Sequence, residues 1–417
     1  MKQYITPNSI KLALANLPQL VFEVTDACNL KCKYCAYGEF YDDYDSRDDK
    51  MLPIEKAIRL IDYLADFWNS EMNCSSNRGM FISFYGGEPL LNMPFIQSIV
   101  NYVKNTLNCP NIKCTFSMTT NAMLLDKYMD YLKEHQVVLL ISLDGNRENT
   151  AYRTDKMGQS SFDRIVKNVD TLREKYPDYF KERVGFNAVL HNKNTVEEIY
   201  NFFKERYDKI PRIGELNNMG IHPEKQKLYL QTYRNKQESL QQSEHYEKIE
   251  RDMFINTGSY QSALIFLHQF TGFVYKDYTD LLFDKSMKNA NSIPSGTCPP
   301  FTKKMYVTVN GKILPCERIG HQFALGEVTN YKVRLDFEAI AEKYNSYYAK
   351  IEKQCLACKN IKACTQCMFN LENMETKPVC HGFMTEDMFN RYVSNQMYFL
   401  SKNPESYAKL MNDVVVM

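Results

Sequence analysis

The segment QLVFEVTDACNLKCKYC, residues 19–35, joins a short apolar run to three closely spaced cysteines. Residues 19–24 predict a buried strand, because the run is short and apolar and leads directly into a polar loop. Cys28, Cys32 and Cys35 follow on that loop, with three and then two residues between them. The strand and the thiol group together are the starting point for the rest of the chain.

Three thiolates on one loop can bind three irons of a [4Fe-4S] cluster and leave the fourth iron open to a small molecule. A structural zinc site instead needs four ligands in tetrahedral geometry. No nearby Cys or His completes such a set around Cys28, Cys32 and Cys35. The spacing therefore favours an iron-sulfur cluster with one open position.

Strand and helix patterns alternate after this loop, which predicts βα units around a parallel sheet. Roughly six such units are complete by residue 221. The predicted strands lie at 81–85, 114–120, 137–143 and 184–190, and the predicted helices at 53–68, 94–107, 125–134, 160–176 and 195–207.

The chain has 417 residues, which favours two or three domains. Residues 222–290 are rich in Gln, Lys, Glu and Tyr and predict helices that bridge two domains. In MYVTVNGKILPC, residues 305–316, the Asn310-Gly311 pair predicts a hairpin with a type I′ turn. The predicted divisions are a lead segment at 1–18, an α/β domain at 19–221, the bridge at 222–290, a Cys-rich domain at 291–384 and a C-terminal helix at 385–417.

Composition excludes several functional classes. Hydrophobic residues make up 44% and charged residues 24% of the chain, as in soluble globular proteins. The net charge of +1 provides no field to attract nucleic acid or an anionic membrane. No apolar run approaches the roughly 20 residues of a membrane helix, and the N-terminus lacks a secretory signal, so we expect a cytoplasmic protein. Thirteen cysteines in a reducing compartment indicate metal binding rather than disulfides.

The cysteine spacing, with aromatic Tyr34 before the last cysteine, resembles the signature of the radical S-adenosylmethionine (radical SAM) superfamily. The resemblance covers residues 19–221 and implies a partial (β/α)6 barrel with the cofactor at the carboxyl ends of the strands. It implies that the open iron binds the amino and carboxylate groups of S-adenosylmethionine. Reductive cleavage would then give methionine and a 5′-deoxyadenosyl radical that abstracts hydrogen from the substrate.

The same resemblance implies cofactor contacts at several strand ends. The GGEP segment would bind the methionine amino group, Ser142 the ribose and Arg153 the carboxylate, while an apolar strand packs against adenine. Asn121 corresponds to a family TNG motif, but Ala122 replaces the usual Gly, which puts any role of that Gly in doubt. The implied contact residues are Tyr34, Gly86, Gly87, Glu88, Pro89, Asn121, Ser142, Arg153, Val189 and Leu190.

Seven C-terminal cysteines resemble the SPASM domain, which usually binds two further [4Fe-4S] clusters. One departure is that two residues separate Cys364 from Cys367, where the family commonly has three. An inner cluster would use Cys298, Cys316 and Cys367, and an outer one Cys355, Cys358, Cys364 and Cys380. The inner cluster lacks an obvious fourth thiolate, so its open iron could bind a substrate thiol, water or another ligand. Two C-x2-C pairs also suit a zinc ribbon.

This C-terminal segment resembles the SPASM domains of enzymes that modify peptides or proteins. The favoured function is a peptide maturase that forms a thioether or carbon-carbon crosslink in a ribosomally made peptide. The alternative is an anaerobic sulfatase-maturating enzyme that forms formylglycine, with Glu317 after Cys316 as the base. A second alternative is a non-catalytic zinc protein or electron carrier.

The expected partners follow from that chemistry. They are a peptide or protein substrate and an external one-electron reductant such as flavodoxin or ferredoxin. Only about twenty residues precede the first strand, so leader recognition would need a separate protein or the 222–290 segment. Three [4Fe-4S] clusters and S-adenosylmethionine are the expected cofactors.

Overall fold

The computed structural model describes residues 3–41, 44–75, 78–218, 220–271 and 293–413. The chain divides into two compact units. The sheet unit contains residues 17–253 and 304–335, and the helical unit contains residues 1–16, 254–303 and 336–417.

The sheet unit is built on ten strands: β1 Gln19–Thr25, β2 Met80–Gly86, β3 Cys114–Thr120, β4 Val138–Ser142, β5 Val184–Val189, β6 Arg212–Gly214, β7 Met305–Val307, β8 Lys312–Leu314, β9 Gly326–Val328 and β10 Val333–Arg334. Strands β1 to β6 are parallel and lie in chain order. The predicted alternation and α/β fold class are therefore confirmed.

Helices connect these strands: α2 Ile54–Trp68, α3 Met93–Asn105, α4 Leu125–Glu134, α5 Phe162–Lys175, α6 Pro177–Arg183 and α7 Val196–Tyr207, followed by α8 Gln226–Thr232, α9 Lys236–Gln241 and α10 Tyr246–Met253. Helix α2 illustrates why these segments are helical. Its buried residues Ala57, Leu60, Ile61 and Leu64 lie three or four positions apart, so one face is apolar. Burial of each large aliphatic side chain contributes about 1.5–3 kcal/mol.

The hairpin predicted at 305–316 is present, because β7 and β8 pair antiparallel. The predicted type I′ turn is wrong, since it requires positive φ at both central residues. Gly311 has φ 89°, but Asn310 does not have positive φ. The Gly311 N–H donates to the Thr308 carbonyl at 2.8 Å, which places Gly311 after the turn. The N–H of Val309 donates to Glu23 Oε2 at 2.9 Å and helps to hold this longer loop.

The helical unit contains α1 Pro7–Ala15, α11 Gly258–Thr271, α12 Phe337–Ala357, α13 Glu386–Lys402 and α14 Pro404–Asp413. The single helix predicted from residue 385 is two helices, because a residue before proline disfavours helical geometry and Asn403 precedes Pro404. Helices are present in the bridging segment predicted at 222–290 as far as residue 271, while residues 272–292 lie outside the described part. No helix within the described ranges has the length and apolar character to cross a membrane.

Candidate functional site

The predicted site residues of the sheet unit lie where the parallel strands end. The cysteine loop follows β1, the GGEP segment follows β2, Asn121 follows β3 and Asp144 follows β4 by two residues. Since the carboxyl ends of parallel strands share one edge, these segments lie beside one another. This edge is the usual position of active sites in barrels of βα units.

Backbone hydrogen bonds hold the cysteine loop in shape. Cys28 Sγ accepts the N–H of Leu30 at 3.4 Å, and the Cys35 N–H donates to the Cys32 carbonyl at 3.2 Å. All three thiols are partly buried. The loop therefore presents three sulfurs on a fixed backbone.

The electrostatics of these thiols suit a cation-rich ligand. Burial raises the pKa of Cys28 to about 11 and that of Cys32 to about 12, and the neighbouring thiols of the loop add to both increases. Three nearby thiolates without a metal would repel one another, whereas iron compensates their charge. Within the described residues, no group of three or more His, Cys, Asp or Glu is placed to bind a single metal ion. The donor set and its spacing fit a cluster that lacks one protein ligand.

The glycine pair of GGEP packs directly on the segment that leads into Cys28. A Cβ on Gly86 would lie 2.2 Å from the Thr25 carbonyl oxygen, and one on Gly87 would lie 2.0 Å from that of Ala27. Gly86 also has φ 126°, which side chains rarely tolerate. Only glycine therefore permits this approach of two strand ends.

Glu88 connects GGEP to the end of β3 from a fully buried position. Its carboxylate accepts the Asn121 N–H at 2.7 Å, the Thr120 hydroxyl at 2.7 Å and the Leu90 N–H at 3.1 Å. Burial raises the pKa of Glu88 to about 7, although these donors oppose the increase. Pro89 then begins a short 3-10 helix, Pro89–Asn92.

Asn121 reaches the cysteine loop, where its Nδ2 donates to Asn29 Oδ1 at 2.7 Å and lies 3.9 Å from Cys28 Sγ. Ala122 has φ 60°, the left-handed conformation that the usual Gly would adopt. The substitution therefore keeps the backbone turn despite its Cβ. Asn168 supports the turn by donating to the Ala122 carbonyl at 2.8 Å.

The remaining predicted contacts lie at the ends of β4 and β5. Ser142 ends β4, is partly buried and pairs with Asn187 of β5. Val189 ends β5, and its backbone N–H donates to Asp144 Oδ1 at 2.9 Å. Leu190 is fully buried.

Arg153 is engaged by a residue that sequence reasoning missed. Its Nε and Nη2 each donate to Asp144 at 3.0 Å, and Tyr34 donates its hydroxyl to the same carboxylate. Burial would raise the pKa of Asp144, but Arg153 and His191 together outweigh it, and the pKa is lowered. His191 stacks on Tyr34 with ring centres 5.5 Å apart. The signal for Asp144 was its position two residues after the end of β4, in SLDG.

Four thiols of the helical unit surround a cavity of about 130 Å³: Cys355, Cys358, Cys364 and Cys380. The other residues that line the cavity are uncharged. Burial raises the pKa of Cys355 to about 12, and the other three thiols add to the increase. The carbonyl of Cys364 would lie 2.0 Å from a Cβ on Gly296, so a glycine is needed there.

The other predicted thiol ligands are divided between the units. Cys298 and Cys367 belong to the helical unit. Burial is the largest cause of the raised pKa of Tyr348, and both thiols add to the increase. Cys316 belongs to the sheet unit. Beside it, Glu317 pairs with Lys304 at 3.1 Å; burial opposes ionisation, but Lys304 lowers the pKa of Glu317 below its usual value.

The fold and this edge define an α/β protein whose parallel sheet carries a three-thiol site at the ends of its strands. Residues 22–205 match the family described as the radical SAM superfamily. The match confirms, for this part of the chain, the resemblance that the cysteine spacing predicted.

Similar proteins include a cysteine-type anaerobic sulfatase-maturating enzyme of Clostridium novyi, 31% identical over 46% of this chain and 49% of that protein. The radical SAM cyclopropyl synthase TigE of Paramaledivibacter caminithermalis is 28% identical over 40% of this chain and 34% of its own length. The chain thus spans half or less of these two relatives. A cysteine-type anaerobic sulfatase-maturating enzyme of Clostridium perfringens is 25% identical over 84% of this chain and 87% of its own length.

Among solved structures, native anSMEcpe with bound AdoMet superposes with a TM-score of 0.57 at 17% identity. The superposition covers 95% of this chain and 100% of that one. This likeness confirms the fold.

Proposed function

We propose that this chain is a radical SAM enzyme that modifies a side chain of a peptide or protein substrate. The observation that carries the proposal is the three-thiol loop after β1. Gly86 and Gly87 pack against the residues that lead from β1 into this loop. A cluster bound at Cys28, Cys32 and Cys35 would supply the electron that cleaves S-adenosylmethionine to methionine and a 5′-deoxyadenosyl radical.

We assign the cofactor contacts to the strand ends. The backbone of GGEP would receive the methionine amino group, Ser142 the ribose, and Val189 with Leu190 the adenine. Glu88 and Asn121 hold the GGEP segment and the cysteine loop in register through the hydrogen bonds given above. Arg153 uses Nε and Nη2 for Asp144, which leaves Nη1 to receive the cofactor carboxylate.

We also propose two auxiliary clusters of the SPASM kind. The four thiols that line the helical-unit cavity would be the ligands of one of them. Cys298, Cys316 and Cys367 would be ligands of the other. A cytoplasmic one-electron donor such as flavodoxin or ferredoxin would reduce the enzyme.

The first candidate reaction is a thioether or carbon-carbon crosslink within a ribosomally made peptide. Such a bond forms with removal of two hydrogens. One leaves as an atom to the 5′-deoxyadenosyl radical, and the other leaves as a proton and an electron. The need for an acceptor of that electron is the chemical reason to propose auxiliary clusters.

The second candidate is formylglycine formation, which the names of two relatives favour. A base beside Cys316 would then deprotonate the substrate side chain. Glu317 is ionised by its ion pair with Lys304, but the same pair makes it a weak base.

Mass spectrometry after anaerobic co-expression with small Cys-containing peptides separates the two reactions. A crosslink removes two hydrogens and introduces no aldehyde, whereas the aldehyde of formylglycine reacts with hydrazide reagents. An unmodified pool of both peptide and sulfatase-type substrates would contradict the proposed function.

The variant Glu317→Gln tests the base directly. If formylglycine is formed, we expect a loss of product of about 10²–10⁴-fold, the usual contribution of a general base, at unchanged cleavage of S-adenosylmethionine. Glu327→Gln, at an exposed carboxylate of β9 in the same unit, is the matched control. Unchanged product in Glu317→Gln would exclude Glu317 as the base.

A further inference from the structure

A short antiparallel pairing joins the cysteine loop to the segment that carries Arg153. Residues 30–33 pair with residues 152–155 through two backbone hydrogen bonds, of 2.7 and 3.1 Å, and one further bridge. This register places Cys32 directly opposite Arg153. The backbone pairing itself therefore makes these two residues neighbours.

Asp144 fixes the orientation of the Arg153 and Tyr34 side chains. It receives two hydrogen bonds from the Arg153 guanidinium and one from the Tyr34 hydroxyl. Asp144 is fully buried, and Arg153 and Tyr34 are 6% and 7% exposed. The guanidinium carbon also lies 5.4 Å from the centre of the Tyr34 ring.

The pair places two opposite charges beside one thiol in a water-poor environment. Cys32 lies opposite Arg153 in the backbone pairing, and Arg153 and Asp144 are 6% and 0% exposed. Removing either partner would leave the other charge uncompensated in the same place. His191 also faces the carboxylate, with its Nε2 3.9 Å from Asp144 Oδ2.

We propose that Asp144 is a positioning residue for the first cluster, and that the Asp144–Arg153 pair sets its reduction potential through Cys32. The proposal rests on the proposed function. A reduced cluster carries one more negative charge, so a nearby cation favours reduction and a nearby anion opposes it. The two charges balance each other in the native protein.

The test is an EPR-monitored redox titration of the anaerobic, reconstituted protein. It follows the cluster signal that changes when S-adenosylmethionine is added. Asp144→Asn leaves a free cation, so we expect a higher potential than in the native protein. Arg153→Gln leaves a free anion, so we expect a lower one. The double variant should return close to the native value.

Two further variants keep the test decisive. Arg153→Lys retains the charge without the fork, so its potential should stay closer to native than that of Arg153→Gln. Asp163→Asn removes the partner of Arg147 in an exposed ion pair, with side chains 67% and 57% exposed, and should not shift the potential. This control shares the segment that follows β4.

Shifts of both single variants in the same direction, or loss of iron from all of them, would overturn the proposal in favour of a purely structural role. Weaker binding of S-adenosylmethionine in Arg153→Gln at unchanged potential would overturn it in favour of a cofactor contact. Failure of the proposed function is distinguishable, because the native protein itself would then show no signal that responds to S-adenosylmethionine.

Discussion

The two thiol-rich regions of this chain differ in how many sulfurs they bring together and in what surrounds them. The loop after β1 has three thiols, and the Asp144–Arg153 pair lies beside one of them. The cavity of the helical unit has four thiols, and the rest of its lining is uncharged. One region thus has three thiols beside a charged pair, and the other has four thiols in an otherwise uncharged lining.

Under the proposed function, this difference predicts a division of labour. A cluster with three protein ligands retains a position for a cofactor, whereas four thiolates occupy every iron. Charges beside the first site can tune its potential, since hydrogen bonds and net charge around a cluster control that quantity. Under the proposed function, a cluster in the uncharged cavity would transfer electrons without chemistry at the metal.

The largest expected effect separates the two regions by mutation. Cys28→Ala should reduce formation of 5′-deoxyadenosine to background, because the cluster with the open iron is lost. Cys364→Ala should remove about four irons per chain and abolish modification of the substrate, yet retain cleavage of S-adenosylmethionine. Iron analysis and chromatography of the nucleoside measure both effects.

Cys74→Ala, at an exposed thiol outside both regions, is the control for that pair. Equal loss of 5′-deoxyadenosine in Cys28→Ala and Cys364→Ala would contradict the division of labour.

A smaller effect concerns the buried carboxylate beneath the first region. Glu88→Gln places an amide opposite N–H and O–H donors, so we expect a loss of about 1–3 kcal/mol in the free energy of unfolding. The pKa of Glu88 is raised from 4.5 to about 7. The native state therefore binds more protons than the unfolded state in that window, and this carboxyl lowers stability as pH rises from 4.5 to 7.

Glu88→Gln should remove that contribution to the slope. Fluorescence of Trp68, the single tryptophan and a buried residue of the sheet unit, reports the unfolding. Glu134→Gln, at an exposed residue of α4, is the matched control. An unchanged slope in Glu88→Gln would contradict the assigned pKa.

The smallest expected effect tests the turn that supports Cys28 through Asn121. Ala122→Gly should raise the free energy of unfolding by about 0.5–1 kcal/mol, because glycine adopts positive φ without a Cβ clash. Ala65→Gly within α2 should instead lower it by about 1 kcal/mol. Urea denaturation measures both, and a destabilised Ala122→Gly would show that the turn is not strained.

Much of the fold could be predicted because its elements are strongly patterned. Strand β3 and helix α4 were predicted with their observed bounds, since apolar periodicity and flanking polar residues mark them clearly. The turn at Asn310 could not be predicted from its dipeptide, because a long-range hydrogen bond from Val309 to Glu23 helps to select the loop.

In the candidate site, too, local motifs could be predicted and long-range contacts could not. The cysteine spacing and GGEP are local motifs, so the sequence alone identified them. The partner of Arg153 is Asp144, nine positions earlier, and their pairing depends on how the segment after β4 folds back. The conformation of Ala122 was likewise set by its neighbours and not by its own preference.

The most direct test uses anaerobically purified, iron-reconstituted protein with dithionite and S-adenosylmethionine. We predict bound iron and release of 5′-deoxyadenosine and methionine in equal amounts. Protein whose thiolates hold zinc, and which releases neither product, would contradict the central claim that the loop after β1 binds a cluster with one open iron.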